Sequence, residues 1–296
     1  MDLEFLSYIA HSVYFQQICF HSSIGVHVEK MIFKLEDWFR WPINLPSPDE
    51  QRKIAAFLGA VDEKLAALRR KRDLLTDYKR VAMQKIFSQQ IRFTHDDGTA
   101  FPDWKKTRLS ELGQTFGGLA GKSSEDFGLG ASYVTYKQVF GSSFIELEKC
   151  GKVRIAVNEK QNLVRFGDVL FTTSSETPNE IGFSSVVLDE AEELYLNSFC
   201  FGFRPYNENA LFPDFARYLF HCPAYRRAVY PLAQGSTRYN LSKGNFLKLS
   251  QLVPCLEEQK RIADFLSALD TKIDAVAEQI TQMEAFKKGL LQQMFV

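Results

Sequence analysis

What most constrains this chain is that it writes one long stretch twice. PSPDEQRKIAAFLGAVDEKLAALRRKRDLLTDYKRVAMQKIF, from Pro46 to Phe87, returns without a gap 208 residues later as PCLEEQKRIADFLSALDTKIDAVAEQITQMEAFKKGLLQQMF, from Pro254 to Phe295, with 14 identities in 42 positions. Pro46, Glu50, Gln51, Ile54, Phe57, Leu58 and Asp62 recur as Pro254, Glu258, Gln259, Ile262, Phe265, Leu266 and Asp270. Each copy opens on a proline followed by acidic residues, where the free N–H groups of a helix start favour negative charge. Apolar residues then recur at helical spacing, and from residue 61 the steps alternate four and three, the seam of a two-helix coiled coil. The pattern predicts two helices of 40-odd residues, each a rod of about 60 Å. They are expected to pack on each other, with Leu58, Val61, Leu65 and Leu68 against Ile273, Val276, Ile280 and Met283.

A weaker repeat precedes the strong one. Glu4, Phe5, Tyr8, Ile9 and His11 line up with Asp214, Phe215, Tyr218, Leu219 and His221 at an offset of 210, so two residues are gained before Pro46. Residues 1–45 are therefore expected to be the tail of a unit whose complete copy ends at about residue 253. Residues 88–108 form a polar connector containing Gly98 and Pro102. Beyond it, β-branched and aromatic runs bounded by turn residues predict strands over 132–139, 168–173, 183–188 and 195–203. Two short helices broken at Pro223 are expected over 211–233, and another is expected after a cap at Ser242.

Composition narrows the chemistry. Of 296 residues, 36 are basic and 36 acidic, so net charge alone says nothing about a polyanionic partner. Five scattered cysteines without CxxC spacing suit free thiols in a reducing, cytoplasmic setting, and no apolar run reaches membrane-spanning length. GGLAGKSS, 117–124, lacks the four-residue spacing between glycines that lets a phosphate loop close its nest of N–H groups. The five histidines lie too far apart to suggest a metal site. Neither a nucleophile elbow nor an adenine-methyltransferase tetrapeptide is present, so catalysis, metal and cofactor are all unexpected.

Charge distribution carries more than its sum. Between Asp214 and Glu257 no acidic residue occurs, while Arg217, Arg226, Arg227, Arg238, Lys243 and Lys248 stand among tyrosines. Phosphates call for cationic donors, and base edges for Arg, Asn, Ser or Thr on exposed loops. Those types occur in GSTRYNLSKGN, 235–245, and in TTSSETPNE, 172–180.

With a polar-looped domain holding GDVLFTT and GSTRYNLSKGNFLKL, followed by P-x-x-EQ-x-x-I-A-x-FL-x-x-x-D and a long helix, the chain resembles the specificity subunits of type I restriction-modification enzymes. The resemblance implies an α+β protein: one mixed α/β target-recognition domain plus two long helices forming an antiparallel coiled coil. It divides the chain into 1–45, the tail of a first recognition domain; 46–90, a spacer helix; 91–253, a complete recognition domain; and 254–296, a second spacer helix. Such subunits are not catalytic. They bind double-stranded DNA, methyltransferase subunits that modify adenine and, through the complex, the restriction subunit. The residues expected to meet DNA are Lys122, Ser123, Lys137, Thr172, Thr173, Ser174, Ser175, Thr177, Asn179, Arg226, Arg227, Ser236, Thr237, Arg238, Tyr239, Asn240 and Lys243. Arg226 and Arg227 are expected on phosphates, Arg238 first and Asn240 second on base edges. The departure is at the front, where a first recognition domain is nearly absent. Two consequences follow as expectations: self-association into a homodimer through the aromatic-rich residues 1–45, and, as an alternative function, a decoy that occupies methyltransferase subunits without useful DNA recognition.

Overall fold

The computed structural model describes residues 1–25, 31–235 and 238–295. It divides into two compact units, Met1–Tyr78 with Leu269–Val296, and Lys79–Ala268. This division differs from the four sequence segments, because each long helix contributes to both units.

Along the chain run α1 (Leu3–Ala10), α2 (Val13–His21), β1 (Ser23–Ile24), β2 (Ile32–Phe33), α3 (Leu35–Trp38) and the long α4 (Pro48–Phe87). Next come β3 (Lys105–Arg108), α5 (Leu109–Leu112), β4 (Gly113–Gly117), β5 (Phe127–Val134), α6 (Tyr136–Gly141) and β6 (Gly151–Val153). They are followed by β7 (Val169–Thr172), β8 (Ser174–Ser175), β9 (Ser184–Val186), β10 (Leu194–Leu196) and β11 (Cys200–Pro205). Last are α7 (Pro213–Leu219), α8 (Pro223–Val229), β12 (Ala233–Gln234), β13 (Tyr239–Leu241), α9 (Lys243–Lys248), β14 (Ser250–Val253) and the second long helix, α10 (Leu256–Met294). The protein is mixed α+β with two long helices, as the sequence predicts.

In the first unit α4 and α10 run antiparallel: Asp62 pairs with Lys287 at 2.5 Å and Arg69 with Glu284 at 2.6 Å. Val61, Leu65 and Leu68 interdigitate with Val276 and Ile280, flanked by Leu75 and Met283. Each such buried side chain contributes about 1.5–3 kcal/mol relative to exposure. Two seam residues depart from expectation. Leu58 joins Phe5, Ile9, Ala55 and Phe295 instead, and Ile273 is only half-buried and outside the seam cluster. In an antiparallel pair, residue 58 meets the carboxy-terminal end of α10, where α1 also packs.

The weak repeat is a repeat of structure. α1, α2, β1, β2, α3 and α4 recur in order as α7, α8, β12, β13, α9 and α10. The small hairpins even share their register: Ser23 faces Phe33 and Ile24 faces Ile32, as Ala233 faces Leu241 and Gln234 faces Asn240. The two extra residues therefore fall between β1 and β2. Ser12 caps α2 by accepting from Phe15 N, and the Cys222 thiol takes the same position on α8, accepting from Tyr225 N.

The second unit is built around the sheet β4-β11-β7-β9, with β7 and β11 antiparallel in its middle. Phe171 of β7 lies 4.7 Å from Phe246, 5.0 Å from Phe220 and 5.2 Å from Phe201, ring centroid to centroid. These rings join the sheet to α9 and to the end of α7, and Tyr225 of α8 lies 6.2 Å from Phe171. Three sequence expectations change here. The strand expected over 132–139 stops at Val134, because the Thr135 hydroxyl accepts from Gln138 N and starts α6. The strand expected over 195–203 breaks at Asn197, whose side chain accepts from Phe199 N, so β10 and β11 enter different sheets. Ser242 does precede α9, but its hydroxyl makes no capping bond; its carbonyl accepts from Phe246 N instead.

Candidate nucleic-acid interface

The two polar loops that the sequence holds some sixty residues apart become neighbouring strands. β8 carries Ser174 and Ser175, β13 carries Tyr239 and Asn240, and they pair antiparallel with Tyr239 opposite Ser175 and Asn240 opposite Ser174. β12 completes the three-stranded sheet from the other side of β13. Thr173 ties the assembly together: its carbonyl accepts from Leu241 N at 2.9 Å, and its N–H donates to Phe199 O at 2.9 Å. Beside this sheet opens a concavity of about 350 Å³, lined by Tyr136, Ser174, Ser175, Glu176, Thr177, Glu180, Phe199 and Arg238. The Arg238 guanidinium lies 5.6 Å from the centre of the half-exposed Phe199 ring.

Several candidate residues stand on this surface with free polar groups. Thr177, Asn179, Arg238 and Asn240 are exposed, and Tyr239 is half-buried between its strand partners. Asn240 donates to the Arg238 carbonyl at 3.4 Å, which holds the turn between them. Ser174 Oγ and Thr173 Oγ1 are out of solvent with no hydrogen-bond partner among the described residues. Lys137 is exposed on α6, Lys243 on the first turn of α9, and Arg227 on α8, where its Nε donates to the Pro223 carbonyl at 3.3 Å. Ser236 and Thr237 lie outside the described residues.

Other candidates are claimed by the fold. Lys122 is not a free cation: its side chain is 8% exposed, donating to Glu159 at 2.5 Å and to the Arg154 carbonyl at 2.6 Å. Ser123 donates its hydroxyl to Asp126 Oδ2 at 3.1 Å, and its N–H donates to the same oxygen at 2.8 Å as part of a capping box. Thr172 is fully buried, donating to the Glu180 carbonyl at 2.7 Å and accepting from Phe183 N at 3.0 Å, so it cannot read a base. Ser175, nearly buried, donates to Glu180 Oε2 at 2.5 Å. Arg226, expected on a phosphate, instead donates to the Ile181 and Asn179 carbonyls at 2.9 and 2.7 Å, with Phe183 4.3 Å away. Burial pushes its pKa down, and its role is to pin the 178–182 turn. A sequence shows a cation's presence in a window but not whether backbone carbonyls have already taken its donors.

Sequence reasoning missed four lining residues. Glu176 and Glu180 lay in plain view inside TTSSETPNE, and they mean that the acid-free window of the sequence is not acid-free in space. Tyr136 and Phe199 carry no local signal, since α6 and the β10–β11 turn that hold them meet only in the fold. Among the described residues no His, Cys, Asp or Glu cluster fits a metal ion, and no helix is long and apolar enough to cross a membrane.

A family model described as the type I restriction modification DNA specificity domain matches residues 102–285, more than half of the chain, and the chain belongs to this family. It is similar to the type I restriction enzyme MjaVIII specificity subunit of Methanocaldococcus jannaschii, 24% identical over 277 residues. That match covers 90% of this chain but 62% of the relative, so the chain spans less than two thirds of the curated protein it resembles. Among solved structures, the HsdS subunit from Thermoanaerobacter tengcongensis superposes with a TM-score of 0.55 at 22% identity, over 99% of this chain and 68% of that one. A chain from a structural study of complex assembly and conformational transition in a type I R-M system gives 0.60 at 22% identity, over 98% and 70%. These structures share the fold.

Proposed function

We propose that the chain is a non-catalytic DNA-sequence-recognition subunit of a type I restriction-modification system, reading one half of a split target with the unit centred on β4-β11-β7-β9. The observation that carries this reading is the pairing of Ser174 and Ser175 with Asn240 and Tyr239 in one sheet beside Arg238, within a chain of the specificity family. Arg238 and Asn240 face base edges, while Arg227, Lys243 and Lys137 are the cations left for phosphates. The long helices serve as spacer and as docking rod for methyltransferase subunits, through which the restriction subunit joins. Co-expression with the matching methyltransferase subunit, followed by mapping of methylated adenines, tests the reading: one recurrent sequence supports it, and unmethylated or randomly methylated DNA overturns it.

The decoy reading has an observation in its favour, since Lys122 and Arg226 are tied up within the fold and two carboxylates stand at the concavity. Sequence-selective binding to a duplex would exclude it. Self-association belongs to the same proposal: Leu3, Ile32 and Phe39 in the first unit are largely exposed, an apolar surface of the kind that finds a partner. Sedimentation at micromolar concentration should show a homodimer, and a strict monomer rules it out.

A further inference from the structure

We propose that the concavity beside β8 and β13 takes a base edge bearing an exocyclic amino group, cytosine N4 or adenine N6, with the Glu176 carboxylate as its acceptor. The inference deepens the DNA-recognition reading above and rests on it.

The sign of the charge is the first argument. A duplex backbone is a polyanion, so a carboxylate facing it weakens binding unless it accepts a hydrogen bond that only a base donates. Two carboxylates line this concavity, Glu176 and Glu180. Glu180 is engaged with the Ser175 hydroxyl, and its backbone carbonyl with Thr172. Glu176 is exposed and has neither hydrogen bond nor ion pair among the described residues. It is therefore the free acceptor, and a carboxylate is the side-chain group that matches the N4 amino group of cytosine.

The walls suit the edge of a base pair. Phe199 presents a half-exposed ring with the Arg238 guanidinium over it, so an apolar surface and a cationic donor flank the carboxylate. Ser174 belongs to the same lining, and its Oγ, out of solvent, has no hydrogen-bond partner among the described residues. A volume of about 350 Å³ is ample for one base edge. A phosphate, by contrast, would meet two carboxylates and a single cation.

The test is selection of bound duplexes from a randomised pool by the full chain, as wild type and as Glu176→Ala. Wild type should enrich a site in which one position is invariably cytosine or adenine. Glu176→Ala should lose that preference by about tenfold, the scale of one good base contact. Its affinity for unselected duplex should rise slightly, because a negative charge has gone. An exposed, unbonded side chain is not needed for folding, and an unchanged melting temperature checks this. In wild type, 2-pyrimidinone in place of the cytosine, or purine in place of the adenine, should reproduce the loss; whichever does so names the base. A selective wild type whose preferences are all retained in Glu176→Ala overturns the inference and leaves the recognition reading standing. Equal loss of affinity for every duplex also overturns it. A wild type with no sequence preference removes both.

Discussion

The starts of the two long helices use one device in two settings. Gln51 donates to the Pro46 carbonyl at 2.8 Å and accepts from Asp2 N at 2.9 Å. Gln259 donates to the Pro254 carbonyl at 3.0 Å and accepts from Phe212 N at 2.8 Å. In both places the glutamine clamps the chain ahead of the helix to the chain ahead of the preceding helical pair. Phe5 packs on Phe295 at 5.4 Å, and Phe215 on Phe87 at 5.8 Å. Lys287 sits over the Tyr8 ring at 5.4 Å, and Lys79 over Tyr218 at 5.3 Å. The settings differ in what covers the outer face. Leu211 and Ala216 are wholly buried in their unit, whereas their counterparts Met1 and Leu6 are 65% and 37% exposed. Leu241 is 2% exposed, Phe33 44%. The device holds without a large sheet over it; the β4-β11-β7-β9 sheet is what turns the same helical pair into domain core.

The next difference lies in the glutamate beside each clamp. Glu258 is fully buried, accepting from Arg92 Nη2 at 2.9 Å, from Arg92 Nε at 3.2 Å and from the Trp104 indole at 3.0 Å. Glu50, its repeat counterpart, is exposed. The connector after α4 folds back to supply Arg92 and Trp104, so one letter of the repeat is structural in one copy and a helix-start charge in the other.

Four measurements would break or sharpen this comparison. The largest contrast should come from placing a charge on the outer face. Ala216→Asp buries an unpaired carboxylate and should cost more than about 4 kcal/mol in urea unfolding, while Leu6→Asp should cost about 1. Equal losses would mean that the first unit's face is covered after all. Second, Glu258→Ala leaves the buried Trp104 indole without its acceptor and takes one partner from the partly exposed Arg92, which keeps the Phe101 and Pro102 carbonyls, for about 2–3 kcal/mol, whereas Glu50→Ala should stay within about 0.5 kcal/mol. A silent Glu258→Ala would remove the connector from the domain's stability.

Third, Gln51→Ala and Gln259→Ala should cost similar amounts, about 1–3 kcal/mol each, because each leaves a backbone donor and acceptor unpaired. A strong asymmetry would show that the clamps are not equivalent. The smallest effect is pH. Burial pushes the pKa of His221 down, and its Nε2 lies 2.8 Å from the Ser184 carbonyl. The folded state resists a proton that the unfolded state accepts, so the second unit should be fully stable above pH 6.5 and lose stability below it, a loss that His221→Gln flattens. In the first unit the corresponding windows lie elsewhere. Burial opposes ionisation of Asp62, but the hydrogen bonds from Lys287 and Tyr8 prevail and lower its pKa, so this contribution is lost only as pH falls below 3.8. Burial and Asp62 push Tyr8 up to about 12, so its contribution is lost as pH rises from 10 towards that value. Amide exchange in α1 and α7 between pH 7.5 and 5.5 would separate the two units.

The sequence by itself determined the long helices, most of the residues at their seam and the repeat, because a 3.6-residue period and a shared motif are local signals that need no knowledge of contacts. It also showed which loops are rich in groups that suit DNA. Only the tertiary structure decided which of those groups remain free. Arg226 and Lys122 read as cations but are bound to carbonyls and a carboxylate, and Thr172 reads as a loop hydroxyl but lies in the core. Tyr136 of α6, Phe199 of the β10–β11 turn and Glu176 just after β8 meet Arg238 only in the fold. Residue type is written in the chain, whereas a donor's availability depends on desolvation and on which distant backbone arrives beside it, and that is set by the packing of the sheet.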